Sequence, residues 1–230
     1  MKIAYKMFHF DGDPVRDSMV HKAHKALKGF DELQTPTIKI SDNVDLYKFC
    51  KDNKDFHFDP NGYNLHNEQG WRYGELGIWA SNWLAWNNFA NSDYDYLVLM
   101  EDDLACQENL GEYIVKYINE CPEDFDALYI FSPADQWLKH DPSKNLSKNI
   151  TRAYQDWSCA CYVIQKKTIQ DMISVANNGF NLPLDWFMFR QQNLFNIYSV
   201  VPNAYQGCKT ESVESTFQTK QNRGIIYGIF

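Results

Sequence analysis

The feature that most narrows the possible folds is an alternation. Short apolar runs at residues 2–8, 37–40, 96–100, 127–131 and 159–164 are separated by stretches of helical spacing at about 15–27, 45–51, 75–89, 109–118 and 167–176. Repeated strand-then-helix order predicts an α/β domain with a mainly parallel central sheet and helices on both faces. The opening is typical of such a unit: a strand, the turn Asp11-Gly12-Asp13-Pro14, then a helix. The length, 230 residues, fits a single domain with a sizeable core. Within it we expect an N-terminal strand, helix and loop over 1–69, a core over 70–205 and a tail over 206–230.

Charge is unevenly spread. The net charge is −8, and residues 61–140 carry three basic and fourteen acidic groups, whereas 1–60 carry ten of each and 141–230 nine basic and six acidic. That balance argues against an extended phosphate-tracking surface. No basic start followed by an apolar core suggests a signal peptide, and no window is long and apolar enough to span a membrane, so a cytoplasmic location is expected. The six cysteines show no CxxC pair and no zinc spacing, and read as free thiols. Residues 52–69 and 136–151 are polar and read as loops.

The acidity centres on YLVLMEDDL, residues 96–104, where an apolar strand ends in Glu101, Asp102 and Asp103. In open α/β sheets ligands bind beyond the carboxyl ends of the strands, where these groups would lie. Carboxylate oxygens are hard donors suited to Mg²⁺ or Mn²⁺, with water and substrate phosphate completing the shell. In turn-like backbone the first and third acids face one way, so Glu101 and Asp103 would share the ion and Asp102 would point elsewhere, toward a ribose hydroxyl. An acidic turn favouring the dipole of a following helix is an equally good account of the triplet by itself.

Just upstream, Trp79, Trp83 and Trp86 fall on one stripe of a helix whose first turn carries Glu75. The stripe reads as core, and Trp71, before the helix, as the better platform for a sugar ring.

The stretch GELGIWASNWLAWNNFANSDYDYLVLMEDDL resembles the central block of glycosyltransferase family 25, the lipopolysaccharide and collagen galactosyltransferase group. There a Gly-Glu-[Ile/Leu]-Gly segment opens a helix, a Ser-His pair follows, and a strand ends in Glu-Asp-Asp. ACYVIQKKTIQDMI is similar to that family's next strand and helix, LPLDWF to its Pro-[Ile/Val/Leu]-Asp element, and YSVVPNAYQ to its closing strand. Asn82 stands where the family often has His, and YKMFHFDGDPVRDSM matches the family's opening loosely.

The resemblance implies a single GT-A (Rossmann-like) domain and transfer of a sugar from a nucleotide-sugar donor, a UDP-sugar by expectation, to an acceptor hydroxyl, usually with inversion. It implies Mn²⁺ or Mg²⁺ at Glu101 and Asp103, donor contacts from Asp102, Glu75 and Asn82, and Asp185 as the base that takes the acceptor's proton. Trp186 beside it, with Trp71, would meet the acceptor. Phe8, His9 and Arg16 follow the first strand, where the nucleotide is expected, with Arg16 reaching a phosphate. Taken alone, Asp185 reads better as a helix N-cap after Pro183 than as a base. The acceptor is a glycan or, alternatively, a hydroxymethylated base in phage DNA, for which Lys22, Lys25, Lys28, Lys144, Lys148 and Arg152 would supply duplex contacts. An inactive nucleotide-sugar-binding module is the third reading.

Overall fold

A computed structural model describes residues 1–62, 70–131, 140–153 and 159–201, together with the backbone of 208–210. Strand β1 (Ile3–Phe8) leads through Asp13, whose side chain caps the N-terminus by accepting from the Val15 and Arg16 amides, into α1 (Pro14–Ala26). There follow β2 (Asp31–Glu32), α2 (Asn43–Asp52), α3 (Tyr73–Ala90), β3 (Tyr96–Glu101), β4 (Leu104–Cys106), α4 (Leu110–Glu120) and β5 (Ala127–Tyr129). The chain continues through β6 (Ile150–Arg152), β7 (Cys161–Gln165), α5 (Ile169–Asn177), α6 (Leu184–Arg190), β8 (Ile197–Val200) and β9 (Cys208–Thr210).

Seven strands form one sheet in the order β2-β1-β3-β7-β5-β8-β6, and β4 pairs with β9 in a small second sheet. Strands β2, β1, β3, β5 and β8 run the same way; β7 and β6 run against them. The sheet is therefore mainly parallel, with β7 inserted as a reversed strand beside β3.

Both faces of the sheet's centre are dry, which is why β3, β5, β7 and β8 are mostly apolar rather than alternating with polar residues, while the edge strand β2 is exposed. Ala4, Phe8, Leu97, Leu99, Tyr162 and Ile164 project to one side, where α2, α3, α5 and α6 pack. Ile3, Tyr5, Met7, Val98, Met100, Cys161 and Val163 project to the other, against α1 and α4. This period-two division is what a pleated strand imposes. On the first face the tryptophan stripe of α3 is core, as expected: Trp79 stacks on Phe180 with ring centroids 3.9 Å apart and donates from Nε1 to the Leu182 carbonyl at 2.9 Å. Trp83 donates to Asn177 Oδ1 at 2.7 Å. These bonds tie α3 to the turn that precedes α6, and so fix where Asp185 sits.

Two expectations change. Residues 37–40 are not a strand; the Ile38 amide donates to Ser81 Oγ on α3 at 2.8 Å, and the sheet edge is taken instead by β2. The end of the stretch read as a loop over 136–151 contributes to edge strand β6, where Thr151 pairs with Ser199. Polar composition hid this strand, since only its Ile150 and Thr151 are buried. Among the described residues no helix is long and apolar enough to cross a membrane.

Candidate active site

The site is built at the carboxyl end of β3, where Phe8 of β1 pairs with Glu101. Three elements converge there. The turn after β3 brings Glu101, Asp102 and Asp103, the first turn of α3 brings Glu75, and the first turn of α6 brings Asp185. Pro183 is the residue before α6; it brings no side-chain cap, and the Asp185 carboxylate instead accepts the Trp186 amide at 2.9 Å.

Burial, helped by neighbouring negative charge, raises the carboxyls' pKa. Glu101 is pushed up to about 8, first by burial and then by Asp103, Asp185 and Asp102, with Arg16 pulling the other way. Asp185 is pushed up to about 7, again chiefly by burial, against the hydrogen bond from Trp186 and with Glu75 adding to the rise. Burial likewise raises Asp103, whose Oδ1 is buried with no hydrogen-bond partner. Acids brought together out of water and short of donors are the environment in which a bound cation or a shared proton becomes favourable.

Asp102 does something different from its neighbours. It is buried, and its two oxygens are taken by Arg16 Nη1 and, at 2.9 Å, by His9 Nδ1. His9 Nε2 in turn lies 2.8 Å from Asp17 Oδ1. In place of the expected ribose contact, Asp102 anchors the acidic turn to α1. In place of the expected phosphate contact, Arg16 has its side chain buried against that carboxylate. The reason lies in α1, which begins right after the β1 turn and carries Arg16 directly under the end of β3.

Other expected residues also occupy places that a sequence does not disclose. Phe8 is packed in the core between sheet and helices, so its ring is no wall for a nucleobase. Trp71 is 2% exposed, sits edge-on to Phe58 and Phe180, and donates from Nε1 to the Asp59 carbonyl at 2.7 Å. It has no free face for a sugar. Asn82 is buried below the site, where its Oδ1 accepts the Tyr162 hydroxyl at 2.5 Å, and that hydroxyl receives Trp86 Nε1 at 3.3 Å. Burial drives the Tyr162 pKa well above its ordinary value, so Tyr162 stays a neutral donor under β3. Glu75 is buried and accepts the Arg72 amide at 3.0 Å through Oε2. Trp186 is half-buried beside Asp185.

Among the described residues, the one group of three His, Cys, Asp or Glu ligand atoms within 4.8 Å of each other is His9, Asp11 and Asp17, at the turn before α1. Glu101, Asp103 and Asp185 do not close to that spacing, so any ion between Glu101 and Asp103 would draw further ligands from solvent or substrate. The basic residues considered for duplex contact are divided between elements. Lys22 and Lys25 lie on α1 and Lys28 just beyond it, with Lys25 paired to Glu108; Lys144, Lys148 and Arg152 lie at the β6 edge, where Arg152 rests on the Tyr198 ring.

Sequence reasoning passed over Arg72, the residue before α3. The signal was available: a basic residue two positions ahead of the Gly-Glu pair, in a segment that is otherwise strongly acidic.

No family profile matches the sequence, and no curated protein matches it. Among solved structures the chain is similar to a mutant Drosophila beta-1,4-galactosyltransferase 7 in complex with manganese, UDP-Gal and xylobiose, at 17% identity over 90% of this chain and 67% of that one, TM-score 0.42. It is also similar to a glycosyltransferase involved in glycosylation of the major capsid of PBCV-1, at 8% identity over 90% of this chain and 95% of that one, TM-score 0.39. A third is a protein described as a glucose-1-phosphate thymidylyltransferase of Bacillus anthracis, in complex with a sucrose, at 8% identity over 87% of each chain, TM-score 0.39. Likeness at these scores and identities carries no argument about chemistry, for which the residues themselves must speak.

Proposed function

We propose that the chain is a metal-dependent glycosyltransferase of the GT-A type, moving a sugar from a nucleotide-sugar donor to an acceptor hydroxyl with inversion. The observation that carries this reading is the approach of Asp185, from α6, to Glu101 at the end of β3, close enough for Asp185, after burial and Asp103, to raise the Glu101 pKa. Single displacement at an anomeric carbon needs these two functions side by side: charge to neutralise a departing diphosphate, and a carboxylate to take the nucleophile's proton.

The residues fit a divalent cation. Asp103 Oδ1 is buried without a donor, Glu101 is held protonated well into the neutral range, and both offer hard oxygen. Glu101 and Asp103 would hold Mn²⁺ or Mg²⁺, which when bound supplies Lewis-acid stabilisation of the leaving diphosphate. The remaining work falls to side chains. Asp185, at about 7, accepts a proton from the acceptor hydroxyl near neutral pH, where its base strength is matched to the task. Its orientation is set by the Trp186 amide, and burial, with Glu75 adding to it, keeps its basicity high. Arg16 and His9 hold Asp102, and through it the turn that carries the metal carboxylates. Trp186 is placed to pack against a sugar ring at the base.

The test is calorimetric titration of a panel of nucleotide sugars, UDP-sugars first, with Mn²⁺ and then with EDTA. Binding of one donor in Mn²⁺ and its disappearance in EDTA is the expected result. Binding indifferent to EDTA, or no binding of any donor, would overturn the reading.

A stability prediction follows from the same acids. A free Glu loses its proton near its ordinary value of 4.5, whereas folded Glu101 keeps it to about 8. Between those values the folded state binds more protons than the unfolded state, so stability of the metal-free protein falls as pH rises, and the penalty is complete above about 8. Urea unfolding of metal-free protein at both ends of that window is expected to show the fall, and Glu101→Gln to reduce it. Mn²⁺, which replaces the proton, is expected to raise Tm more at the alkaline end than at the acid end. Identical pH slopes for parent and variant would refute this account.

A further inference from the structure

The reading above leaves Arg72 without a task. It stands between buried Trp71 and the first turn of α3, and its amide is held by Glu75 Oε2 at 3.0 Å. The residue is half-buried, and its Nε and Nη2 atoms are buried with no hydrogen-bond partner. None of the ion pairs among the described residues involves it.

A guanidinium cannot shed its charge and carries donors only. Burying two of its N–H groups bare is costly, and an anion or other acceptor is what relieves that cost. Nε and Nη2 lie on one edge of the planar group, and their two parallel N–H bonds match the oxygens of a carboxylate or phosphate in bidentate fashion. The neighbouring acids do not fill the role. Arg16, and not Arg72, is the arginine paired with the acidic turn, through Asp102.

We propose that Arg72 is an anion-binding residue whose Nε–Nη2 edge takes a carboxylate or phosphate group of a bound substrate. Arg72 borders the acidic site through its backbone, whose amide is held by Glu75 at the first turn of α3. On the transferase reading, on which this step rests, the anion is a group of the donor or of the acceptor, and competition with UDP tells which.

The test uses the full chain without metal and follows arginine Nε–H resonances by ¹H–¹⁵N NMR, with Arg72→Lys identifying the Arg72 signal by its loss. Inorganic phosphate and, in a separate arm, acetate are titrated. A saturable shift of that signal is expected, and the anion that acts at lower concentration identifies the group. In Arg72→Gln the affinity for that anion is expected to fall about tenfold or more. If neither anion moves the resonance, or the Gln variant binds both as the parent does, the proposal fails; should that variant not fold, the titration of the parent decides. UDP with Mg²⁺ is then added. Phosphate or acetate retained at Arg72 assigns the edge to an acidic acceptor, and displacement by UDP assigns it to the donor's diphosphate. Because the anion titrations require no donor and no turnover, their failure is distinguishable from failure of the transferase reading, which metal-dependent donor binding decides.

Discussion

Asp185→Asn is expected to lower turnover by about 10²–10⁴-fold, the usual worth of a positioned base, while leaving donor affinity nearly unchanged. Asn is isosteric, and its Oδ1 can still accept the Trp186 amide that orients the parent side chain, so the change removes basicity and little else. Asp103→Ala acts at the other function and is expected to abolish metal-dependent donor binding, because it deletes the buried oxygen that has no partner within the protein. In the parent, turnover should rise as pH passes through about 7, where Asp185 loses its proton, and that limb should vanish in the Asn variant. Calorimetry with steady-state kinetics separates the two roles. Equal loss of donor affinity in both variants would undo the division of labour.

Arg16→Met is expected to destabilise the protein by about 3–5 kcal/mol, the cost of leaving a buried charge without its partner. Both side chains of the Arg16–Asp102 pair are almost fully enclosed, at 3% and 2% exposure, so water cannot take over from the lost guanidinium. His9 remains on the other oxygen at 2.9 Å and offsets only part of the loss. Adding Asp102→Asn to the Met variant should recover a large share, since the carboxylate is then neutral. Urea unfolding of the parent, the two single variants and the double variant gives the coupling directly. A loss below about 1 kcal/mol would place the pair among solvated ion pairs, which contribute little.

The two sets of effects meet in one turn. Asp102 is flanked by the residues assigned to the metal, so weakening its anchor at Arg16 should also loosen Glu101 and Asp103. The order of the strands explains the arrangement. Because β1 lies next to β3 in parallel register, the turn after β1 and the turn after β3 emerge on the same edge, and α1 delivers Arg16 to Asp102 and Asp17 to His9.

Some of this was legible in the residues. The apolar run of β3 ending in acids, the helix begun by Glu75, and the alternation of strands and helices all follow from local pattern, because periodicity records which side of an element is buried. The tryptophan stripe was read as core for the same reason, and Trp79, Trp83 and Trp86 are buried. Local pattern misled at residues 37–40, where a side chain forty-three positions away, Ser81, takes the Ile38 amide. It misled again at Trp71, which looked like a platform until Phe58 and Phe180 were seen to enclose it.

What the sequence alone determined, then, was the kind of sheet and the end of it at which chemistry would gather, since both depend on hydrophobic period and on the charge that interrupts it. The tertiary structure decided which polar group meets which. That Asp102 is spent on Arg16 and His9, that Asp185 comes to Glu101 from a helix late in the chain, and that Nε and Nη2 of Arg72 are buried with no partner in the protein depend on contacts between elements distant in sequence. Charge pairing and desolvation act through space at a few ångströms, and no spacing along the chain encodes that distance.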